Sequence, residues 1–173
     1  MRSRLLVAVM HGILCTGCWY GGGQGGDDAG SSDSGAGSSD CQCGEYDQGT
    51  GLCWQDPSVS WFSWNEAVQY CEWLETGGHD DWHLPTRDEL MTLFDECEQH
   101  GSSCYDCLSC GDSATCGELF GADQDWYWSS TGCEEGQAWY AYFEYGLFRC
   151  CGHNADCHSV EQGYHVRCVR SVQ

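Results

Sequence analysis

The stretch from Gly77 to Leu90, reading Gly-Gly-His-Asp-Asp-Trp-His-Leu-Pro-Thr-Arg-Asp-Glu-Leu, constrains the fold of this chain more than any other. It has the features of a junction between two helices. Upstream, Ser63 and Glu66 have the spacing of a capping box, in which side chains satisfy the open N–H groups of a helix start. Ala67, Cys71 and Leu74 follow at helical spacing, which predicts a helix over 64–76 with one buried face. Gly77-Gly78 is expected to end it, since glycine takes a left-handed cap at little steric cost. Thr86 and Glu89 form a second capping box. Leu90, Leu93 and Phe94 then give the second helix its apolar stripe. Between the helices, Trp82 and Leu84 are expected to plug the core, with Pro85 keeping Leu84 extended.

Strand patterns dominate the second half. Residues 127–131 are rich in β-formers. Residues 138–143 and 147–151 flank Glu144-Tyr145-Gly146, which reads as a hairpin turn. In 164–170 the two faces, Tyr164/Val166/Cys168 and His165/Arg167/Val169, both suit burial, so the strand is expected to be covered on both sides. Residues 50–55 make a further strand. The expected class is α+β.

Several of these pieces stand together in a recognisable order. They are Thr50-Gly51-Leu52-Cys53-Trp54-Gln55, Trp64-Asn65-Glu66-Ala67 with Tyr70-Cys71, and Gly78. Asp81-Trp82-His83-Leu84-Pro85-Thr86 with Glu89-Leu90, Tyr127-Trp128-Ser129-Ser130-Thr131 and Val166-Arg167-Cys168-Val169-Arg170 complete them. This layout resembles the Lcl C-terminal domain family of bacterial surface proteins, over roughly 49–172. The resemblance implies a fold similar to C-type lectins and formylglycine-generating enzymes, with two helices, a twisted and mostly antiparallel sheet, and long disulfide-stapled loops. Two departures stand out: His83 replaces the family's usual arginine, and a Cys-rich insert fills 97–116. Such a fold hosts binders and enzymes alike, so it does not by itself imply an activity.

Arg2 and Arg4 precede a mostly apolar run from Leu5 to Leu14, too short to span a bilayer and shaped like a secretory core. Small residues before Cys18 resemble a bacterial lipobox, although Cys15 stands where leucine is usual. Residues 1–17 are therefore expected to be a signal peptide. Residues 18–48, largely Gly, Ser and Asp, then form a lipid-anchored tether that cannot bury enough surface to order itself. One folded unit, 49–173, follows. Of sixteen cysteines, setting aside Cys15 and Cys18 leaves fourteen, an even number at a density that fits an oxidising compartment. The expected location is the bacterial outer membrane or cell surface.

The formal net charge is −21, with six basic residues, all arginine; removing Arg2 and Arg4 leaves four. So acidic a chain repels nucleic acid and sulfated glycans. The expected partners are an extracellular protein or carbohydrate, with the membrane reached only through the lipid. Cys104-x-x-Cys107-x-x-Cys110, flanked by Cys97 and Cys116, lacks the completion of an iron–sulfur run and reads as bridges. Histidines at 153 and 158, beside Asp156 and Cys157, suggest a metal site only by proximity. No pair of cysteines is marked as reactive, so an oxidoreductase or metal-dependent enzyme is the alternative reading and a structural envelope lipoprotein the third. No cofactor is expected, calcium excepted: Asp123, Asp125, Glu134 and Glu135 have the oxygens to hold it. Most tryptophans fall in structural motifs. Trp61 and Trp126 fit those motifs least, and with Asp123 and Asp125 they are the candidate ligand-binding residues.

The Cys18→Ala substitution is expected to abolish lipidation and membrane retention. Intact mass of the processed wild type, together with fractionation of the mutant, checks this. An unacylated wild type and an unchanged mutant distribution would contradict it.

Overall fold

The structure is a computed structural model and describes residues 41, 44–56, 59–100, 104–122, 124–133, 137–150 and 163–172. Among these, two sheets and three short helices make an α+β architecture. The smaller sheet has the order β1-β2-β10, built from β1 (Gly44–Asp47), β2 (Leu52–Gln55) and β10 (Val169–Ser171). The larger has the order β3-β9-β6-β7-β8-β5-β4. Its strands are β3 (Val59–Phe62), β4 (Glu98–Gln99), β5 (Cys104–Asp106), β6 (Trp126–Gly132), β7 (Ala138–Tyr142), β8 (Leu147–Cys150) and β9 (Tyr164–Val166). All pairings are antiparallel except β6 with β9, which run parallel and meet at Tyr127 and His165. The helices are α1 (Trp64–Glu72), α2 (Arg87–Met91) and α3 (Ala114–Phe120).

Strand alternation sorts the core into two clusters on opposite faces of the large sheet. Tyr127, Trp139 and Ala141 face Leu90, Leu93 and Phe94, in or just after α2. Trp128, Ala138 and Tyr140 face Ala67 and Cys71 of α1, together with Trp82 and Leu84. Both capping motifs form. The Glu66 carboxylate accepts from the Ser63 N–H at 2.9 Å. Thr86 Oγ1 accepts from the Glu89 N–H at 3.1 Å, while the Glu89 carboxylate accepts from the Thr86 N–H at 2.8 Å. Trp82 and Leu84 are 3% and 2% exposed, as a core plug requires.

The junction does more than fill space. His83 exchanges both backbone hydrogen bonds with Val169 of β10, at 2.9 and 2.8 Å. The Pro85 carbonyl accepts from the Ser130 N–H at 2.7 Å, and Thr131 Oγ1 accepts from the Arg87 N–H at 2.9 Å. One irregular segment thus links the small sheet to β6 of the large one.

Three expectations are corrected. The helix expected over 64–76 stops at Glu72. Gly77 and Gly78, at φ 63° and 80°, are not its cap but the centre of a tight turn, in which Thr76 and His79 exchange two 3.1 Å hydrogen bonds. Two successive positive φ angles are what such a turn demands and what glycine supplies. The segment 164–170 is covered on both sides but is not one strand. It breaks at Arg167 and Cys168, and β9 and β10 join different sheets. The insert 97–116, expected as a loop, contains β4 and β5 and opens α3, a third helix. That helix starts without a side-chain cap of its own: Asp95 Oδ2 accepts from the Ala114 N–H at 2.7 Å, from nineteen residues away in sequence.

Five disulfides lie among the described residues: Cys41–Cys53, Cys71–Cys168, Cys97–Cys107, Cys110–Cys116 and Cys133–Cys150. Four of the five insert cysteines are therefore bridged, as the reading against a metal site expects. Cys150 pairs with Cys133; Cys151, and the group at His153, Asp156, Cys157 and His158, lie outside the described residues. The Cys71–Cys168 bridge ties α1 to the β9–β10 break across 97 residues. In the chain-entropy view a loop of that size is worth between four and five kcal/mol, about the largest effect of this kind.

Trp82→Ala should destabilise the oxidised domain by about 3–5 kcal/mol, the usual loss for a buried aromatic. The denaturation midpoint in urea measures it. A loss under about 1 kcal/mol would contradict the burial of this side chain.

Candidate functional site

The end of the large sheet where β3 and β7 finish and β6, β8 and β9 begin gathers exposed aromatic and acidic side chains. Register places them there. Phe62 is opposite Tyr164, Trp126 opposite Tyr142, and Tyr142 opposite Leu147. Trp61, Asp125, Trp126, Glu144 and Tyr145 adjoin this row.

Trp61 is the unusual member. The β3–β9 register is irregular between Val59 and Phe62, and within that irregularity Trp61 has φ 66°. For a residue with a Cβ this left-handed conformation costs on the order of 1–2 kcal/mol. The side chain gains little burial in return, being 75% exposed. Its position is nonetheless defined. A Cβ on Gly163 would stand 3.2 Å from both Trp61 Cα and ring atom Cε3, so a larger residue there would have to push the two segments apart by a few tenths of an ångström. The Trp61 ring centroid is 6.2 Å from that of His165. His165 in turn holds Nε2 3.4 Å from Asp125 Oδ1, while its Nδ1 is buried without a hydrogen-bond partner. An indole, an imidazole and a half-exposed carboxylate thus line up along one face.

Trp126 belongs to the other face. It stacks on Tyr142 with centroids 4.1 Å apart and planes 8° from parallel, and on Tyr164 at 5.7 Å. The Tyr142 hydroxyl donates to the Glu144 carboxylate, which pushes the phenol up to about 12. Tyr145 packs edge-on against Tyr142 and is 57% exposed. Of the residues nominated from sequence, Trp61 and Asp125 are therefore joined through His165, and Trp126 is half-buried on the reverse side. Asp123, Glu134, Glu135 and Cys18 lie outside the described residues. His165, Gly163, Glu144 and Tyr145 carried no local mark as site residues; only the pairing of β9 between β3 and β6 brings them in. Trp73, not singled out as a surface candidate, is exposed at the end of α1.

Three further features bound the chemistry. Among the described residues no group of three or more His, Cys, Asp or Glu side chains is placed to hold a metal ion. A shallow cleft of about 340 Å³ between the β1–β2 turn and α3 includes Asp47 and Glu118. The Asp47 oxygens there already accept from the Gly49 N–H and the Thr50 hydroxyl, closing the turn. Each of the four arginines among the described residues is ion-paired: Arg87 with Asp88, Arg149 with Asp106, Arg167 with Asp56 and Arg170 with Asp81, at 2.5–3.1 Å.

An α+β domain clamped by disulfides, with an aromatic and acidic rim at one sheet end, is the class of protein these observations define. Residues 45–170 match the Lcl C-terminal domain family, and the chain belongs to it. No curated protein matches the chain.

His83, at the position where arginine is usual, forms a 3.1 Å pair with Glu89. Donating a hydrogen bond to the Glu89 carboxylate raises the imidazole above its ordinary 6.5 despite partial burial. Burial pulls Glu89 up, but the His83 and Thr86 hydrogen bonds outweigh it and leave the carboxyl below 4.5. A raised histidine stabilises fully below its unfolded value and loses that contribution as pH climbs through the folded one. A lowered carboxyl loses its contribution as pH falls. The pair should therefore stabilise most between about pH 4.5 and 6.5. Its worth, screened by solvent, is below about 1 kcal/mol. NMR titration should place His83 above 6.5, and Glu89→Gln should remove the elevation. An unchanged titration in that variant would contradict the coupling.

Proposed function

We propose that this chain is an exported, non-catalytic binding protein whose lectin-like domain takes an extracellular ligand, protein or carbohydrate. The observation that carries the reading is Trp61. A large apolar ring is held in a costly backbone conformation, facing solvent, where it contributes little to the core. Exposed aromatics set in a polar surround are typical of recognition surfaces. Five bridges suit a domain matured in an oxidising compartment. A leader over 1–17, lipidation at Cys18 and a tether would hold it off the bacterial surface; the tether is shorter than the expected 18–48, because Cys41 is bridged to Cys53 and Gly44–Asp47 form β1 of the folded domain. The C-type-lectin-like arrangement is part of this proposal, supported by the family and by sheet ends that carry the irregular segments.

Charge narrows the ligand class. In a chain of net charge −21, with the four described arginines ion-paired, the described residues offer no cationic patch for sulfated glycans or nucleic acid. That favours neutral or basic ligands.

An array of matrix proteins and of sulfated and unsulfated glycans, probed with the oxidised domain, should give saturable binding. Binding that persists on the unsulfated or protein spots and is absent from the sulfated ones is the expected pattern. Absence of binding throughout would overturn the reading in favour of a structural envelope role.

A further inference from the structure

Taking the binding function above as its premise, we infer that the Trp61 ledge is a saccharide site: the indole face receives one neutral pyranose ring, and Asp125 with His165 fixes its hydroxyls. Four observations converge on this. The indole is 75% exposed, so a face is open to a flat apolar partner. It does not sway freely, because the Gly163 backbone and the His165 ring lie against it. A preorganised aromatic surface loses less freedom on binding than a mobile one. Beside it, the Asp125 carboxylate is 53% exposed and offers several acceptor positions to hydroxyl donors. His165 Nε2 lies 3.4 Å from that carboxylate, so the two polar groups stand together beside the indole.

The alternative occupants fit less well. A sulfated sugar would meet Asp125 and an acidic surface with no unpaired arginine nearby. A protein ligand would need a contiguous apolar area, and the ledge is one indole bordered by polar groups. A pyranose needs what is present: one aromatic face for its axial C–H groups and a carboxylate at its edge. Trp126, facing the other side of the sheet, has no part in this contact.

The left-handed φ of Trp61 provides a control that most site residues lack. Glycine adopts this conformation without strain, so Trp61→Gly should fold at least as well as the wild type while deleting the ring. The probe is an array of unsulfated oligosaccharides built from glucose, galactose, mannose and N-acetylglucosamine, printed beside matrix proteins, with affinities for the positive spots measured by calorimetry. Wild-type binding to at least one of them is expected. Trp61→Gly should weaken it by roughly tenfold or more, the effect of deleting a central aromatic contact. Trp61→Phe should retain part of the affinity, and Asp125→Asn should weaken it with thermal stability unchanged. Trp126→Phe should leave it as it was. Saccharide binding indifferent to Trp61→Gly would overturn the assignment, as would binding confined to protein ligands; in both cases the binding function itself survives. Absence of any binding would sink both.

Discussion

The segment 81–87 works as a strand without being one, and the two sheets depend on it for their relation. Its backbone is shared between β10, through His83 and Val169, and β6, through Pro85 and Ser130. A buried backbone group left unpaired is penalised about as heavily as a lost hydrogen bond, so neither sheet can move away without stranding these groups. Asp81 adds an ion pair to Arg170, whose guanidinium is 5% exposed. That pair holds the Asp81 carboxyl below its ordinary range. Once the guanidinium is buried, the loss of its partner would leave an uncompensated charge. The position of β10 is thereby fixed from both its backbone and its side-chain side. The Cys71–Cys168 bridge secures α1 to the residue just before it.

What the sequence made legible is what short-range chemistry decides. Both capping boxes are patterns of four consecutive residues and both formed. The strands of the second half were marked by runs of β-formers and a turn, and β6, β7 and β8 begin and end within one residue of those runs. The glycine doublet was read as a cap because local sequence does not distinguish one left-handed residue from two. The helix α3 escaped because its start is capped by Asp95, a contact that exists only after the chain has folded back. The break at Arg167 and Cys168 is equally non-local: two sheets compete for one apparently continuous strand, and each takes three residues. The site divides in the same way. Trp61 was marked by its failure to fit a structural motif and Asp125 by its acidic surroundings. Gly163 and His165 were invisible until the parallel contact between β6 and β9 set them beside those residues.

The four arginines show how an acidic domain distributes few cations. Arg167 and Arg170 are buried with half-exposed acids, and Arg167 also lies over the Phe120 ring at 3.9 Å. Arg87 sits 5.0 Å over Trp139 while paired with Asp88. Arg167 and Arg170 thus direct their charge inward, while Arg87 and Arg149 stay part-exposed, each against one acid. The remaining surface is left acidic. An anionic ligand would have to displace an existing ion pair to find a cation. On the binding function proposed above, that balance favours ligands with hydroxyl donors, basic groups or apolar faces.

The conformation of Trp61 has a purely structural explanation that must be weighed. β3 is an edge strand of the large sheet. Irregularities at edges prevent pairing with another chain, and they are common for that reason. That accounts for a positive φ at this position. It does not account for tryptophan. Glycine or asparagine would form the same irregularity with less strain, and neither would leave an indole in solvent beside an unpaired edge, where it favours the association that the irregularity opposes. Gly163 packs against the same residue, where a Cβ would stand 3.2 Å from both Trp61 Cα and ring atom Cε3. Edge protection therefore explains the backbone and leaves the ring unexplained, and it is on the ring that the proposed binding function rests.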